Sequence, residues 1–189
     1  MTTAPEWKVV AGTGHRPQYL STDETDWAQA QLPTALRRLR KHHGTRIIVS
    51  GLALGWDTWL AQAALAEGLE LHAHIPCPQQ ANVWPPTDRA VWQNLQNNAA
   101  QVVFYGNDYD VRLLHARNDG MLDAADAVLA LWDESKTTGG THSAIVKALN
   151  RGLPILHADP VGRTIDRLTR VPRGWRPPAL HHQHAARLF

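Results

Sequence analysis

Strands alternating with helices from end to end predict an α/β protein, a Rossmann-like doubly wound, mostly parallel sheet of about six or seven strands with helices on both faces. Three observations carry that prediction. Short apolar runs such as Ile47-Ile48-Val49 and Ala127-Val128-Leu129-Ala130-Leu131-Trp132 read as buried strands. Between such runs, apolar residues recur at helical spacing. Three glycine-bearing turns, at Gly12-Thr13-Gly14, at Gly51 to Gly55 and at Gly139-Gly140, each follow a strand.

Taken in order, Lys8 to Ala11 forms the first strand and Gly12-Thr13-Gly14-His15-Arg16-Pro17 the first turn. Two glycines, a hydroxyl, an imidazole and a guanidinium at a strand end make a cradle for phosphate or ribose, or else a tight turn with a solvated His and Arg. Ser21-Thr22-Asp23-Glu24 is a capping box, so a helix starts near residue 22. Leu32, Leu36 and Leu39 give its buried stripe, Pro33 is expected to kink or split it, and Gly44 ends it. The central stretch is Ile47-Ile48-Val49-Ser50-Gly51-Leu52-Ala53-Leu54-Gly55-Trp56-Asp57, a strand and turn opening an Ala-rich helix that Asp57 caps and that runs to Glu67 before Gly68. Backbone N–H groups at such a helix start can bind an anion, and the glycines let a ligand come close. Leu69 to Pro76 is the third strand. His72 and His74 share one of its faces at a spacing seen in metal sites, but no third ligand is evident nearby. The loop Gln79 to Pro86 leads to a helix capped by Thr87 or Asp88, then a strand at Gln101 to Tyr105, then a helix from about Val111 to Asp123 carrying Arg117, Asn118 and Asp119. The fifth strand, Ala127 to Trp132, precedes Thr137-Thr138-Gly139-Gly140-Thr141 and a helix ending at Gly152, and Leu153 to His157 is the sixth strand. The domain spans 1–160. From Asp159 on the pattern dissolves, leaving 161–189 as a basic Arg/His/Pro-rich tail, where His181-His182-Gln183-His184 could take adventitious metal.

At 189 residues and 43% hydrophobic composition the chain can bury a full core. No apolar run approaches the roughly 20 residues that span a bilayer. No signal peptide is evident, and the single cysteine, Cys77, excludes an internal disulfide; a cytoplasmic protein fits both. Charge is unevenly spread: 13 Lys+Arg against 16 Asp+Glu over residues 1–160, then 6 Arg against Asp166 alone over 161–189. An acidic body argues against a body-wide nucleic-acid face, while the tail could touch nucleic acid weakly. Of the eight tryptophans, Trp56 and Trp84 fall in loops where a ring could stack on a ligand.

These motifs resemble the SLOG superfamily of Rossmann-like proteins, which groups the DNA-processing protein Smf/DprA, the YpsA-like proteins and the "lonely guy" (LOG) phosphoribohydrolases. Ser50-Gly51-Leu52-Ala53-Leu54-Gly55-Trp56-Asp57 looks like the SGxAxGxD turn of the DprA-like and YpsA-like branches. Gly12 to Pro17 is similar to the first turn of YpsA-like proteins, and Pro76 to Pro85, with Gln80 and Trp84, resembles their PFxGQxxxWP loop. Arg117-Asn118, then Ala125 to Trp132, then Gly139-Gly140-Thr141 follow the superfamily's order of Arg-containing helix, strand and GGT turn. The resemblance spans roughly residues 8–158 and is closest to the YpsA-like branch.

The first reading is a ligand-binding or sensor protein, holding a nucleotide or nucleotide-derived molecule at the C-terminal edge of the sheet; no cofactor is otherwise indicated. The candidate contacts are Gly12, Thr13, Gly14, His15, Arg16, Gly51, Leu52, Gly55, Trp56, Asp57, Pro76, Gln80, Trp84, Arg117, Asn118, Trp132, Gly139, Gly140 and Thr141. The alternative is a hydrolase. LOG resemblance implies N-glycosidic cleavage of a nucleoside 5′-monophosphate, with Arg117 at the family's arginine but Ala144 at its glutamate, so Asp57 or Asp119 would have to supply the carboxylate. DprA resemblance implies a third reading, single-stranded DNA binding. The superfamily also implies a homodimer. No metal is expected.

Overall fold

The computed structural model describes residues 5–168. Readings that fall on 169–189, the His181-His182-Gln183-His184 cluster among them, lie outside the described residues. The strands are β1 Val9–Gly14, β2 Ile47–Ser50, β3 Glu70–Ile75, β4 Gln101–Phe104, β5 Ala127–Leu131, β6 Ile155–Asp159 and β7 Thr164–Arg167. The helices are α1 Thr22–His43, α2 Trp56–Ala66, α3 Pro86–Asn97, α4 Val111–Asp123 and α5 Gly139–Asn150. One sheet takes them in the order β4-β3-β2-β1-β5-β6-β7, with β7 alone antiparallel. This is the expected doubly wound α/β architecture.

Alternation along the strands builds two cores. Val10, Ile48, Leu71, Ala73 and Leu129 face α1, α2 and α3, whereas Ala11, Val49, Val128 and Ala130 face α4 and α5. All five residues of β5 are buried, as a central parallel strand covered on both faces requires. Strand order reverses between β1 and β5. At such a switch point the flanking connections leave for opposite faces, opening a crevice beyond the strands' C-terminal ends.

The structure corrects several local expectations. Gly12-Thr13-Gly14 belongs to β1 itself, paired with Leu129, Ala130 and Leu131, and the chain turns only afterwards. Pro33 does not split α1. Its buried stripe, Ala28-Leu32-Ala35-Leu36-Leu39, runs straight through, and the carbonyl that Pro33 leaves free belongs to exposed Gln29. Asp57 is not an N-cap, because Gly55 occupies that position at φ 92° and Asp57 lies inside the first turn. Pro85 caps α3, with Thr87 and Asp88 inside the helix. The expected capping box of α1 forms, with Ser21 Oγ accepting from Glu24 N at 3.2 Å, and Gly44 closes α1 in the left-handed conformation. Beyond Asp159 the chain was expected to lose its pattern, yet β7 pairs with β6 through a turn at Pro160–Arg163.

Candidate functional site

A cleft of about 280 Å³ opens at the switch point, between the ends of β1 and α2 on one side and α4 and α5 on the other. Of the residues expected at the site, Gly12, Thr13, Gly14, Arg16, Asp57, Arg117, Asn118, Gly140 and Thr141 line it. Sequence reasoning missed Tyr19, Met121 and Ala53, which also line it. Tyr19 carried a usable signal, an aromatic residue just beyond the polar first turn, whereas Met121 and Ala53, apolar and without a functional group, carried none.

The second turn packs far more tightly than an anion-binding turn requires. Arg117 reaches from α4 and donates from Nη1 to the Gly51 carbonyl at 2.7 Å, with Asp57 Oδ2 3.8 Å away. Gln80 Nε2 donates to the carbonyls of Gly51 at 3.1 Å and Leu52 at 3.0 Å. The backbone N–H groups of Ala53 and Gly51 face the Asp57 carboxylate and favour its charged form. Ser50 Oγ accepts from Leu52 N–H at 3.2 Å and donates to the Asp57 carbonyl at 2.8 Å. The knot is buried, so burial pushes the Asp57 carboxyl up, against the opposing pull of Arg117, and pushes the Arg117 guanidinium down. An arginine stays cationic regardless. The Arg117 Nε has no hydrogen-bond partner.

Several candidates therefore serve the protein rather than a ligand. A Cβ on Gly51 would overlap the Arg117 guanidinium, and one on Gly55 would come within 2.8 Å of the His15 carbonyl oxygen. Trp56 is fully buried, with Nε1 donating to the Leu129 carbonyl at 3.2 Å, so it cannot stack on a ligand as expected. Trp84 packs edge-on against Trp92, with ring centroids 6.4 Å apart. Leu52 is buried in the α2–α3 core at φ 48°, Pro76 is buried, and buried Trp132 donates to the Lys136 carbonyl at 3.0 Å. Asp119 binds Lys147 at 2.6 Å and Arg151 at 3.0 Å, an α4–α5 clasp that places it among structural ion pairs instead of in the cleft.

The third turn is the opposite case. Thr138 precedes α5 without a side-chain cap, and no hydrogen bond among the described residues uses the N–H groups of Gly139, Gly140 or Thr141. A Cβ at Gly139 or Gly140 would meet nothing within 4 Å. The start of α5 thus presents free donors and the positive end of its dipole to open space. His15 holds the approach to it: its Nε2 accepts from Asp133 N–H at 3.0 Å, which fixes the neutral tautomer with the proton on Nδ1. Burial, then Lys136, lowers the His15 pKa against the pull of Asp133 and Glu24. His72 and His74 do share a face, but His74 Nδ1 pairs with Tyr105 OH at 2.8 Å, and no metal-binding group of three acidic, His or Cys residues exists among the described residues. No described helix is long and apolar enough to cross a membrane.

Fold and cleft together define a Rossmann-like α/β protein with a cleft at the C-terminal ends of its strands. No protein-family model matches the sequence, and comparison with curated proteins finds no match. Among solved structures, the chain is similar to DNA processing protein A (DprA) from Streptococcus pneumoniae, at 22% identity and a TM-score of 0.58, covering 80% of this chain and 53% of that one. It is also similar to DNA processing protein A from Helicobacter pylori, described for its single-stranded DNA binding mode, at 20% identity and a TM-score of 0.58, covering 79% and 64%. The chain therefore spans between half and two thirds of these proteins' length, and the likeness establishes a shared fold.

Proposed function

We propose that this protein binds single-stranded DNA, with the switch-point cleft receiving a nucleotide and the start of α5 receiving a phosphate. The observation that carries the reading is the contrast between the turns. The second turn is filled by the Arg117 side chain at Gly51, while the third leaves three N–H groups free and open, two of them, Gly140 and Thr141, on the wall of the cleft that Arg16 and Arg117 also line. Exposed Arg16 lies close enough to act on both Asp57 and Arg117 electrostatically, so the cleft has a cationic rim on a body that is not basic overall. Likeness in fold to a protein described for single-stranded DNA binding supports the same reading. Membership of the SLOG superfamily, in its YpsA-like branch, and pairing as a homodimer belong to this proposal.

A free nucleotide is the second reading, favoured by the cleft's volume of about 280 Å³, which suits one small ligand. N-glycosidic hydrolysis has less support. Ala144 lines the cleft where the LOG resemblance would require glutamate, Asp57 is the only carboxylate lining it among the described residues, and Asp119 is held by Lys147 and Arg151.

Fluorescence anisotropy with a labelled dT oligomer of about ten nucleotides, a length within common single-strand site sizes, tests the proposal. Binding should weaken as salt rises, and Arg16→Glu should weaken it about tenfold or more without lowering the melting temperature. No binding at low salt, or an Arg16→Glu variant that binds as wild type, would overturn it. Direct binding of dTMP by calorimetry with no measurable oligomer binding would favour the free-nucleotide reading instead.

A further inference from the structure

The cleft has a neighbour. A second pocket of about 310 Å³ lies between His15 and the loop Ser135 to Gly139, and the two share Tyr19, Gly140 and Thr141 as a common wall. We infer that this pair of pockets holds two consecutive nucleotides of a strand, with the linking phosphodiester on the first turn of α5 and Tyr19 as the base-stacking residue between them. The inference rests on the single-strand reading above and gives it a footprint and a recognition residue.

Several observations converge on that arrangement. At about 280 and 310 Å³ the two pockets lie just below and just inside the range for small-molecule sites, roughly 300–1,000 Å³, so neither alone accommodates more than a small unit. Their shared wall contains the free N–H groups of Gly140 and Thr141, where a negative group between the pockets is favoured. Each side also has its own cation. Arg117, 7% exposed and with its Nε unpartnered, lines the first pocket with Arg16, and Lys136, held by Asp133 at 2.9 Å, lines the second.

Tyr19 is 55% exposed, large for an aromatic residue on a rigid element. A short 3-10 turn, Pro17–Tyr19, holds it, with Tyr19 N–H donating to the Arg16 carbonyl at 3.0 Å and Pro17 fixing the first φ. Its ring lies 6.2 Å from that of His15, tilted by 57°. Packing against protein explains little of this placement. A stacking platform for bases, which accepts any base because every base has a π face, explains its position between two pockets.

The test uses the full chain and three probes, 5′-dTMP, the dinucleotide pdTpdT and labelled dT10, against wild type, Tyr19→Ala and Tyr19→Phe. Wild type should bind pdTpdT at least tenfold more tightly than dTMP. Tyr19→Ala should weaken pdTpdT and dT10 about tenfold with an unchanged melting temperature, and Tyr19→Phe should restore binding, since stacking needs the ring and not the hydroxyl. Photocrosslinking of 5-iododeoxyuridine within dT10 should map to Tyr19. Wild-type binding of dT10 with Tyr19→Ala unaffected, or pdTpdT bound no better than dTMP, would overturn this inference while leaving single-strand binding intact. Failure of wild type to bind dT10 at all would overturn both.

Discussion

Replacing Gly51 with alanine is the most informative single change in the second turn. The added Cβ would overlap the Arg117 guanidinium and lie 2.8 Å from Asp57 Oδ2. Gly51 does not have a positive φ, so the conflict is with neighbours and not with the backbone. Arg117 would have to withdraw, losing its 2.7 Å bond to the Gly51 carbonyl and its place beside Asp57 in a buried setting. Breaking one side of a buried ion pair typically costs about 3–5 kcal/mol. At roughly 2–4 °C per kcal/mol for a chain of this size, the melting temperature should fall by about 6–20 °C. The same substitution in an Arg117→Ala background meets no guanidinium and keeps only the 2.8 Å approach to Asp57, so it should cost less there, and a double-mutant cycle by urea denaturation should return a coupling of about 2 kcal/mol or more. A Gly51→Ala variant within about 1 kcal/mol of wild type, or a cycle with no coupling, would show that Arg117 moves freely and that the knot is not held by its contact with Gly51.

Two histidines give pH-dependent predictions. His74 is buried against Tyr105, and burial, then His72 and Arg117, pushes its pKa down to about 4; because the unfolded imidazole takes up its proton near 6.5, stability should be present above that pH and fall as pH drops, by about 3 kcal/mol between pH 7 and 4. Urea midpoints for His74→Asn should lose that part of the pH dependence, and an unchanged profile would contradict the assignment. His15 accepts from Asp133 N–H only when neutral, so acidification through its lowered pKa should release the Asp133–Thr138 loop. Hydrogen exchange at the Asp133 amide should accelerate in His15→Ala at pH 7, and full protection there would refute the tether.

The alternating pattern of strands and helices was legible because each strand is short, apolar and bounded by glycine, proline or a cap. β7 was not, because Thr164-Ile165-Asp166-Arg167 is polar and exposed on an edge, where one partner strand suffices and no apolar signal is needed. At the cleft, the glycine turns were legible in the sequence, but their division of labour was not. Glycines look alike in sequence whether a ligand or a protein side chain approaches them. Gly51 makes room for Arg117 and Gly14 for Trp56, whereas Gly139 and Gly140 face open space. Asp57 read as a helix cap or a ligand contact because the groups it faces, the N–H groups of Gly51 and Ala53, become neighbours only once the turn folds back.

That division of labour explains how one edge can be both rigid and receptive. Arg117 is long enough to tie α4 to the second turn while still lining the cleft, so the charge that would meet a ligand is fixed in place before any ligand arrives. A cation already ordered by protein contacts loses less side-chain freedom on binding than a surface lysine or arginine would. The third turn offers backbone donors, which carry no side-chain entropy to lose, and His15 ties its leading loop to the rigid first turn. Arg16 and Tyr19 are the exposed groups between these fixed elements, on a turn that Pro17 stiffens. Specificity at this edge should therefore respond most to Arg16 and Tyr19, and stability most to Gly51, Asp57 and Gln80. Binding and melting measurements on the same set of variants would separate the two groups, and a set in which both quantities fall together would show that the knot and the rim are one unit.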